Sequence, residues 1–297
     1  EIGVPREQTV FVSGIGCSSR FPYYMDTYGV HSIHGRAPTL ATGIKAVNPD
    51  LTVWVVTGDG DGLSIGGNHL VHCMRRNVDV KILLFNNRVY GLTKGQYSPT
   101  SLQGHRTKST PMGSIDYPFN PMSVAIGAEA TFVARTQDTN TKHLQETLRR
   151  AAAHRGTAFV EIYQNCVVYN PTAWDHTTDS SVRDDNIVYV EEGKPLVYGR
   201  DNDKGIRING MIPEIVDVAN GASDELAVHQ ESLDNSSYAY MLSRMQHPEF
   251  PLPFGVLRDV SRPAYTDMLV DQVKDAVDSG DADLNALLHS SDTWVVE

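Results

Sequence analysis

The sequence predicts an α/β fold, a mostly parallel sheet flanked by helices, and three neighbouring stretches carry that prediction. Residues 51–57 (LTVWVVT) and 80–85 (VKILLF) are β-branched and aliphatic runs, the pattern of strands buried on both faces. Between them, residues 66–77 place Leu70, Val71, Cys73 and Met74 on one helical face, with Arg75 and Arg76 outside it. A strand–helix–strand unit crosses over right-handedly and brings both strand C-termini to one edge of a parallel sheet.

The other elements follow in chain order. Thr9–Val12 begins as a strand and runs into Ser13-Gly14-Ile15-Gly16-Cys17, a second strand-end glycine loop. A helix is expected to start near Pro38, since proline suits a first helical turn. Tyr90 to Phe119 is long, polar, punctuated by Gly and Pro and without periodicity, which predicts a functional loop rather than a linker. Residues 122–130 and 141–154 read as helices, the second capped by Thr139, Asn140 or Thr141. Residues 157–163 (TAFVEIY) are a further strand ending at Asn165-Cys166. From about Asn170 the composition turns to Asp, Asn, Thr and Gly. Residues 1–170 are therefore expected to form the site-bearing α/β domain, and 171–297 a C-terminal extension packing on it or on a partner. A short strand pair is expected at 186–190 and 195–198. Helices at about 234–245 and 264–289 are expected to flank a proline-rich crossing at Pro248–Pro253.

Composition narrows the function classes. With 297 residues, 40% hydrophobic and 21% charged, the chain reads as a soluble globular protein with a substantial core. No apolar run is long enough to span a bilayer, and no charged-then-apolar leader precedes the fold. A net charge of −11 without a basic face argues against nucleic acid as partner. Three cysteines, none in a CxxC pair, make no disulfide framework, and the reducing cytoplasm is the expected compartment.

The chemistry sits at the strand ends. Gly58-Asp59-Gly60-Asp61-Gly62 caps the first buried run and Asn86-Asn87 the second, so a carboxylate and a carboxamide converge where open α/β sheets bind ligands. Magnesium takes hard oxygen ligands and shares its shell with phosphates. Asp59 supplies a charged oxygen, Asn87 a neutral one, and a backbone carbonyl shortly after Asn87 a third. Glycines at 58, 60, 62, 66 and 67 let the main chain approach a diphosphate, and the following helix offers its first amides to the anion. The bland reading of the same residues is a Gly/Asp turn followed by an Asn-Asn turn.

GDG followed one crossover later by NN is the pattern of thiamine-diphosphate enzymes. The segments GIGCSSRFPYY, HSIHGRAPTLATGIK, VVTGDGDGLSIGGNHLVHCMRRN and LLFNNRVYGLTKGQYSPTS resemble the beta subunits of 2-oxoacid:ferredoxin oxidoreductases, most closely the two-subunit bacterial 2-oxoglutarate type. The resemblance is dense from about Thr9 to Cys166 and thinner through LRDVSRPAYTD and LLHSSDTW. It implies the diphosphate-binding type of thiamine-diphosphate fold. It also implies coenzyme A-dependent oxidative decarboxylation of 2-oxoglutarate to succinyl-CoA and CO2, or the same reaction on pyruvate or another 2-oxoacid. Electrons would pass through a 4Fe–4S cluster to ferredoxin. An alpha subunit would carry the glutamate that activates the aminopyrimidine, in a heterodimer or a dimer of heterodimers. The rivals are a non-redox thiamine-diphosphate decarboxylase or carboligase, and a nucleotide-binding or architectural subunit.

Residue by residue, the resemblance assigns Mg2+ to Asp59, Asn87 and the Val89 carbonyl. Gly16, Cys17, His34, Gly58, Asp59, Gly60, Asp61, Asn87, Gly91, Leu92 and Thr93 would line the cofactor, with Asp61 as turn or support. His34 would hydrogen-bond the cofactor-bound substrate or its carbonyl, while His31 is structural. Lys94 either contacts the anionic substrate or coenzyme A, or is a solvated loop lysine. Arg20 either grips the distal carboxylate of 2-oxoglutarate as a guanidinium fork or forms an inter-subunit salt bridge. Cys17 and Cys166 would be thiolate ligands of the cluster. The other two ligands belong to an N-terminal CPGC segment that a sequence beginning at Glu1 does not contain. The expectation is an upstream segment outside this sequence; the alternative is a form without a cluster. Cys73, on the apolar face of its helix, is expected in the core.

Overall fold

Alternation along the strands determines how the chain layers itself. In the computed structural model, which describes residues 2–218, 225–280, 283–294 and 296, β1 (Thr9–Ser13) leads through a 3-10 helix (Ser18–Tyr23) to β2 (Tyr28–His31). Helix α1 (Ala37–Val47), β3 (Thr52–Gly58), the short α2 (Asp59–Leu63), α3 (Gly67–Arg75) and β4 (Lys81–Asn86) follow. After the long loop come α4 (Pro121–Gly127), β5 (Phe132–Gln137), α5 (Thr141–Ala153) and β6 (Ala158–Tyr163). In β3, Val53 and Val55 join one core with Ala37, Ala41, Leu70 and Met74, while Trp54 and Val56 face a second core with Phe11, Leu83, Ala151 and Val160. Both faces are therefore covered, which is why the run contains no polar alternation. Burying side chains such as Val55 and Leu70 stabilises the fold by roughly 2 kcal/mol each.

The main sheet has eight strands. Beyond α6 (Asp175–Thr178) and α7 (Arg183–Asn186) the chain adds β7 (Ile187–Val190), β8 (Val197–Tyr198), β9 (Lys204–Asn209), β10 (Ile212–Asp217), α8 (Ser237–Arg244), β11 (Leu252–Asp259), α9 (Tyr265–Asp278) and α10 (Leu284–Leu288). Strand order is β2-β1-β3-β4-β6-β5-β11-β7, with β8, β9 and β10 in a separate antiparallel sheet. The first six strands are parallel; β11 pairs antiparallel with β5 and parallel with β7. The segment after residue 170, expected as an extension, thus supplies two strands of the main sheet itself.

Several elements depart from expectation for identifiable reasons. Residues 248–253 were expected as a proline-rich crossing, but Leu252 and Pro253 open β11, whose register shifts between Val256 and Arg258. The helix expected over 264–289 stops at Asp278, before Ser279-Gly280, and resumes as α10; positions 281 and 282 lie outside the described residues. Residues 28–31 form β2, an exposed edge strand with no hydrophobic alternation to reveal it in the sequence. Helix caps follow the chemistry: Asn120 and Asn140 accept from the backbone amides of Ser123 and His143.

Candidate active site

The chain leaves β1 toward β2 on one side and then crosses to β3 on the other. A crevice opens outside the C-terminal ends of such strands, at the point where the order reverses. Gly58 pairs with Phe85, so Asp59 and Asn86 leave the sheet side by side. Rather than capping a plain turn, Asp59 begins α2, with Gly58 in extended conformation as its N-cap.

Asp59 is buried, and its Oδ2 accepts two hydroxyl hydrogen bonds, from Ser98 Oγ at 2.6 Å and Thr100 Oγ1 at 2.5 Å. Burial pushes its carboxyl above the ordinary aspartate range, opposed by those hydroxyls and by the amides of Gly60 and Asn87. Asn87 Oδ1 accepts from the Val89 amide at 3.1 Å and keeps a second lone pair. Asp59, Asn87 and Val89 line one cleft.

Asp61, two residues on, has a different environment. Its Oδ1 accepts from the amides of Ile15 (3.1 Å) and Gly35 (2.7 Å), and its Oδ2 from Thr57 Oγ1 (2.7 Å). The carboxylate therefore braces the β1 loop and the His34 loop against the end of β3. Gly35 has φ +65°, and a Cβ there would stand 2.4 Å from the Gly66 amide nitrogen, so only glycine lets the His34 loop pack on the start of α3. The brace leaves His34 exposed on the cleft wall.

The same cleft gathers Gly16, Cys17, Gly58, Gly60, Gly91, Leu92 and Thr93. Arg20, on the 3-10 helix, and Lys94, at φ 77° in the turn closed by the Tyr90 amide on Gln96 O, are exposed and do not line it. Cys166 is not part of the lining, yet its sulfur lies beside the same glycine as that of Cys17. A Cβ on Gly91 would sit 3.3 Å from Cys166 Sγ and 3.5 Å from Cys17 Sγ, so the two thiols flank one glycine. Cys73 is in the core, where burial pushes its thiol up to about 12. Among the described residues no three His, Cys, Asp or Glu side chains gather into a metal-holding group. Donors for a metal at the strand ends are one carboxylate, one amide and one backbone carbonyl.

Sequence reasoning missed the side chains behind the Asn86-Asn87 turn. Trp174 Nε1 donates to Asn86 O at 2.8 Å, and the Arg88 guanidinium lies 3.7 Å over the indole. Asn170 Nδ2 donates to Asn87 O at 3.2 Å. Tyr163 stacks on the same indole at 3.4 Å between centroids. Ser98 and Thr100 carried one signal, their place in the loop expected to be functional.

Residues 14–162 match the family model described as thiamine pyrophosphate enzyme, C-terminal TPP binding domain. Over its whole length the chain is 52% identical to 2-oxoglutarate oxidoreductase subunit KorB of Mycobacterium tuberculosis, covering 80% of that protein. The chain belongs to the beta subunits of the 2-oxoacid:ferredoxin oxidoreductases. It is also similar to 2-oxoacid:ferredoxin oxidoreductase 1, subunit beta, of Aeropyrum pernix, 49% identical over 57% of this chain, and the match spans only 54% of that relative. A solved 2-oxoglutarate:ferredoxin oxidoreductase from Magnetococcus marinus, with 2-oxoglutarate, coenzyme A and succinyl-CoA bound, superposes with TM-score 0.77 at 31% identity. That match covers 98% of this beta subunit and 85% of the solved chain. Among the described residues of this beta subunit, no helix is long and apolar enough to cross a membrane.

Proposed function

We propose that this chain is the beta subunit of a cytoplasmic 2-oxoglutarate:ferredoxin oxidoreductase, which converts 2-oxoglutarate and coenzyme A to succinyl-CoA and CO2 while passing two electrons to ferredoxin. The observation that carries this reading is the convergence of Asp59, Asn87 and Val89 on one cleft, beside paired Cys17 and Cys166. Asp59 Oδ1, the Asn87 amide oxygen and the Val89 carbonyl would hold Mg2+ and, through it, the diphosphate of thiamine diphosphate. When bound, that cofactor supplies a carbanion nucleophile and an electron sink.

The chain's own residues bind, orient and shield. Gly16, Gly58, Gly60 and the Gly91–Thr93 backbone line the cleft and would form the walls for the diphosphate half. His34 reaches the cleft from its braced loop and can exchange a hydrogen bond with the substrate carbonyl. Arg20 and Lys94 stand outside the cleft wall, where they would meet the substrate's distal carboxylate or coenzyme A once the alpha subunit closes over the site. Cys17 and Cys166 would provide two thiolates of a 4Fe–4S cluster, with the remaining ligands from outside this sequence. The alpha subunit would bring the pyrimidine-activating glutamate, in a heterodimer or dimer of heterodimers.

The test is co-expression with the alpha subunit, followed by calorimetry with thiamine diphosphate and Mg2+ and a panel of 2-oxoglutarate, pyruvate and 2-oxobutyrate. Asp59→Ala is expected to abolish magnesium-dependent cofactor binding. Unchanged binding in that variant would sink the reading of the metal site, and a preference for pyruvate would redirect the substrate.

A further inference from the structure

Ser98, Thr100 and Ser101 lie in the middle of the long loop, yet each is only 2–3% exposed. Their hydroxyls are spent on the two metal-bearing strand ends. Ser98 and Thr100 donate to Asp59 Oδ2, at the end of β3, while Ser101 Oγ donates to Arg88 O at 2.6 Å, in the turn after β4. Thr100 Oγ1 also stands 3.0 Å from Asn86 Oδ1, and the Ser98 amide donates to Ser101 Oγ at 2.8 Å, which ties the Asp59-bound hydroxyls to the one bound at Arg88. We propose that residues 98–101 form a hydroxyl clip that holds Asp59 and the Asn87 turn at the spacing a divalent cation requires, with Thr100, through its bond to Asp59, as a positioning residue. The proposal rests on the magnesium and thiamine diphosphate reading of the cleft.

Proton accounting fixes the direction of each contact. A threonine hydroxyl has one proton, and the charged acceptor at 2.5 Å, Asp59, takes it. Asn86 Oδ1 is served instead by the Arg88 amide at 3.2 Å. Asn86 cannot flip, because its Nδ2 donates to Glu161 Oε1 at 2.8 Å, and the Glu161 carboxylate is bound through Oε2 by Arg135 Nε at 2.8 Å. Arg135 and Glu161 are register partners on β5 and β6 and fully buried, so the chain of contacts ends in rigid sheet. With two donors on Oδ2, Asp59 has Oδ1 left for a cation, and its carboxylate cannot rotate without losing both. Water molecules in those places would exchange; hydroxyls supplied by the fold do not. Partners one shell behind a metal ligand typically change metal affinity by about 10- to 100-fold when removed.

The experiment uses the assembled complex with the alpha subunit and measures thiamine diphosphate binding by calorimetry as magnesium is varied. Thr100→Val keeps the shape and removes the hydroxyl. The magnesium concentration for half-maximal cofactor binding should rise by roughly tenfold or more, with full stoichiometry recovered at high magnesium, while Thr100→Ser stays within about threefold of the parent. A clip that only anchored the loop would lower the melting temperature of the cofactor-free complex in Thr100→Val and leave the magnesium requirement where it was. That result overturns the proposal, as does a loss of binding that no magnesium concentration restores. If Thr100→Val does not fold, Ser98→Ala carries the same test with a smaller shift in the same direction. A parent complex that binds the cofactor without needing magnesium defeats the metal reading itself, and the clip falls with it; a normal parent beside an unshifted variant defeats the clip alone.

Discussion

Asp59 and Asp61 are the same residue type, two positions apart in one helical turn, and both are buried. Surroundings separate them: Asp59 has one carboxylate oxygen in the grip of hydroxyls and lines the cleft, while Asp61 has both oxygens committed to backbone amides and Thr57. Asp61→Ala should therefore destabilise the protein by about 2 kcal/mol, as the Ile15 and Gly35 amides lose their acceptor, a loss that denaturant titration reads directly. Gly91→Ala puts a methyl group within 3.5 Å of both Cys17 and Cys166 sulfurs. The expected outcome is lower iron content per assembled complex, by elemental analysis, with magnesium-dependent cofactor binding retained. That Asp59, Asn87, Cys17 and Cys166 fall at one end of the sheet was legible because each follows within a few residues of a hydrophobic strand run. Ser98 and Thr100 were not: their loop has no period to place them, and their partner Asp59 sits on the far side of β4 in sequence.

At the scale of elements, the edge of the sheet opposite the site is held by charge. Asp79, just before β4, accepts from Lys81 at 2.8 Å, Lys45 at 3.0 Å and Arg155 at 3.0 Å, while the lysines also donate to carbonyls at the ends of α1 and α5. Burial alone would raise the Asp79 carboxyl; Lys81 and Lys45 more than reverse this and hold it at about 2. A carboxylate with a folded-state pKa below its unfolded value of about 3.9 stabilises the fold above that pH, and the contribution is lost as pH falls toward 2. Asp79→Asn should cost about 3 kcal/mol at neutral pH by leaving two buried lysines uncompensated, and should flatten the decline in urea midpoint between about pH 4 and 2. Elements with an uninterrupted apolar or β-branched run, β3, β4 and β6, were readable from the sequence. β5 carries no such run, because Arg135, Thr136 and Gln137 have the composition of surface, though Arg135 is buried against Glu161. β11 was passed over because Pro253 argues against a strand inside a sheet.

For the whole molecule, the long loop and the turn past Cys166 are unlike an ordinary soluble surface. Met112, Ile115, Tyr117 and Val167 are among the large exposed hydrophobics there. In a beta subunit, exposed apolar side chains of this kind are ones a partner subunit would cover. Ile115→Asp is expected to weaken association with the alpha subunit by about tenfold or more in sedimentation or size-exclusion measurements, without lowering the melting temperature of the isolated chain. The antiparallel pairing of β11 with β5 has a consequence for biogenesis. A ribosome delivers every strand of the parallel half, cleft included, long before it delivers the strand that seals the flank of β5. Until then the nascent chain presents an open row of amides and carbonyls, the surface through which unrelated chains coagulate. A polypeptide halted at residue 170 would carry nearly every cleft residue named above and would be expected to precipitate before it could use them.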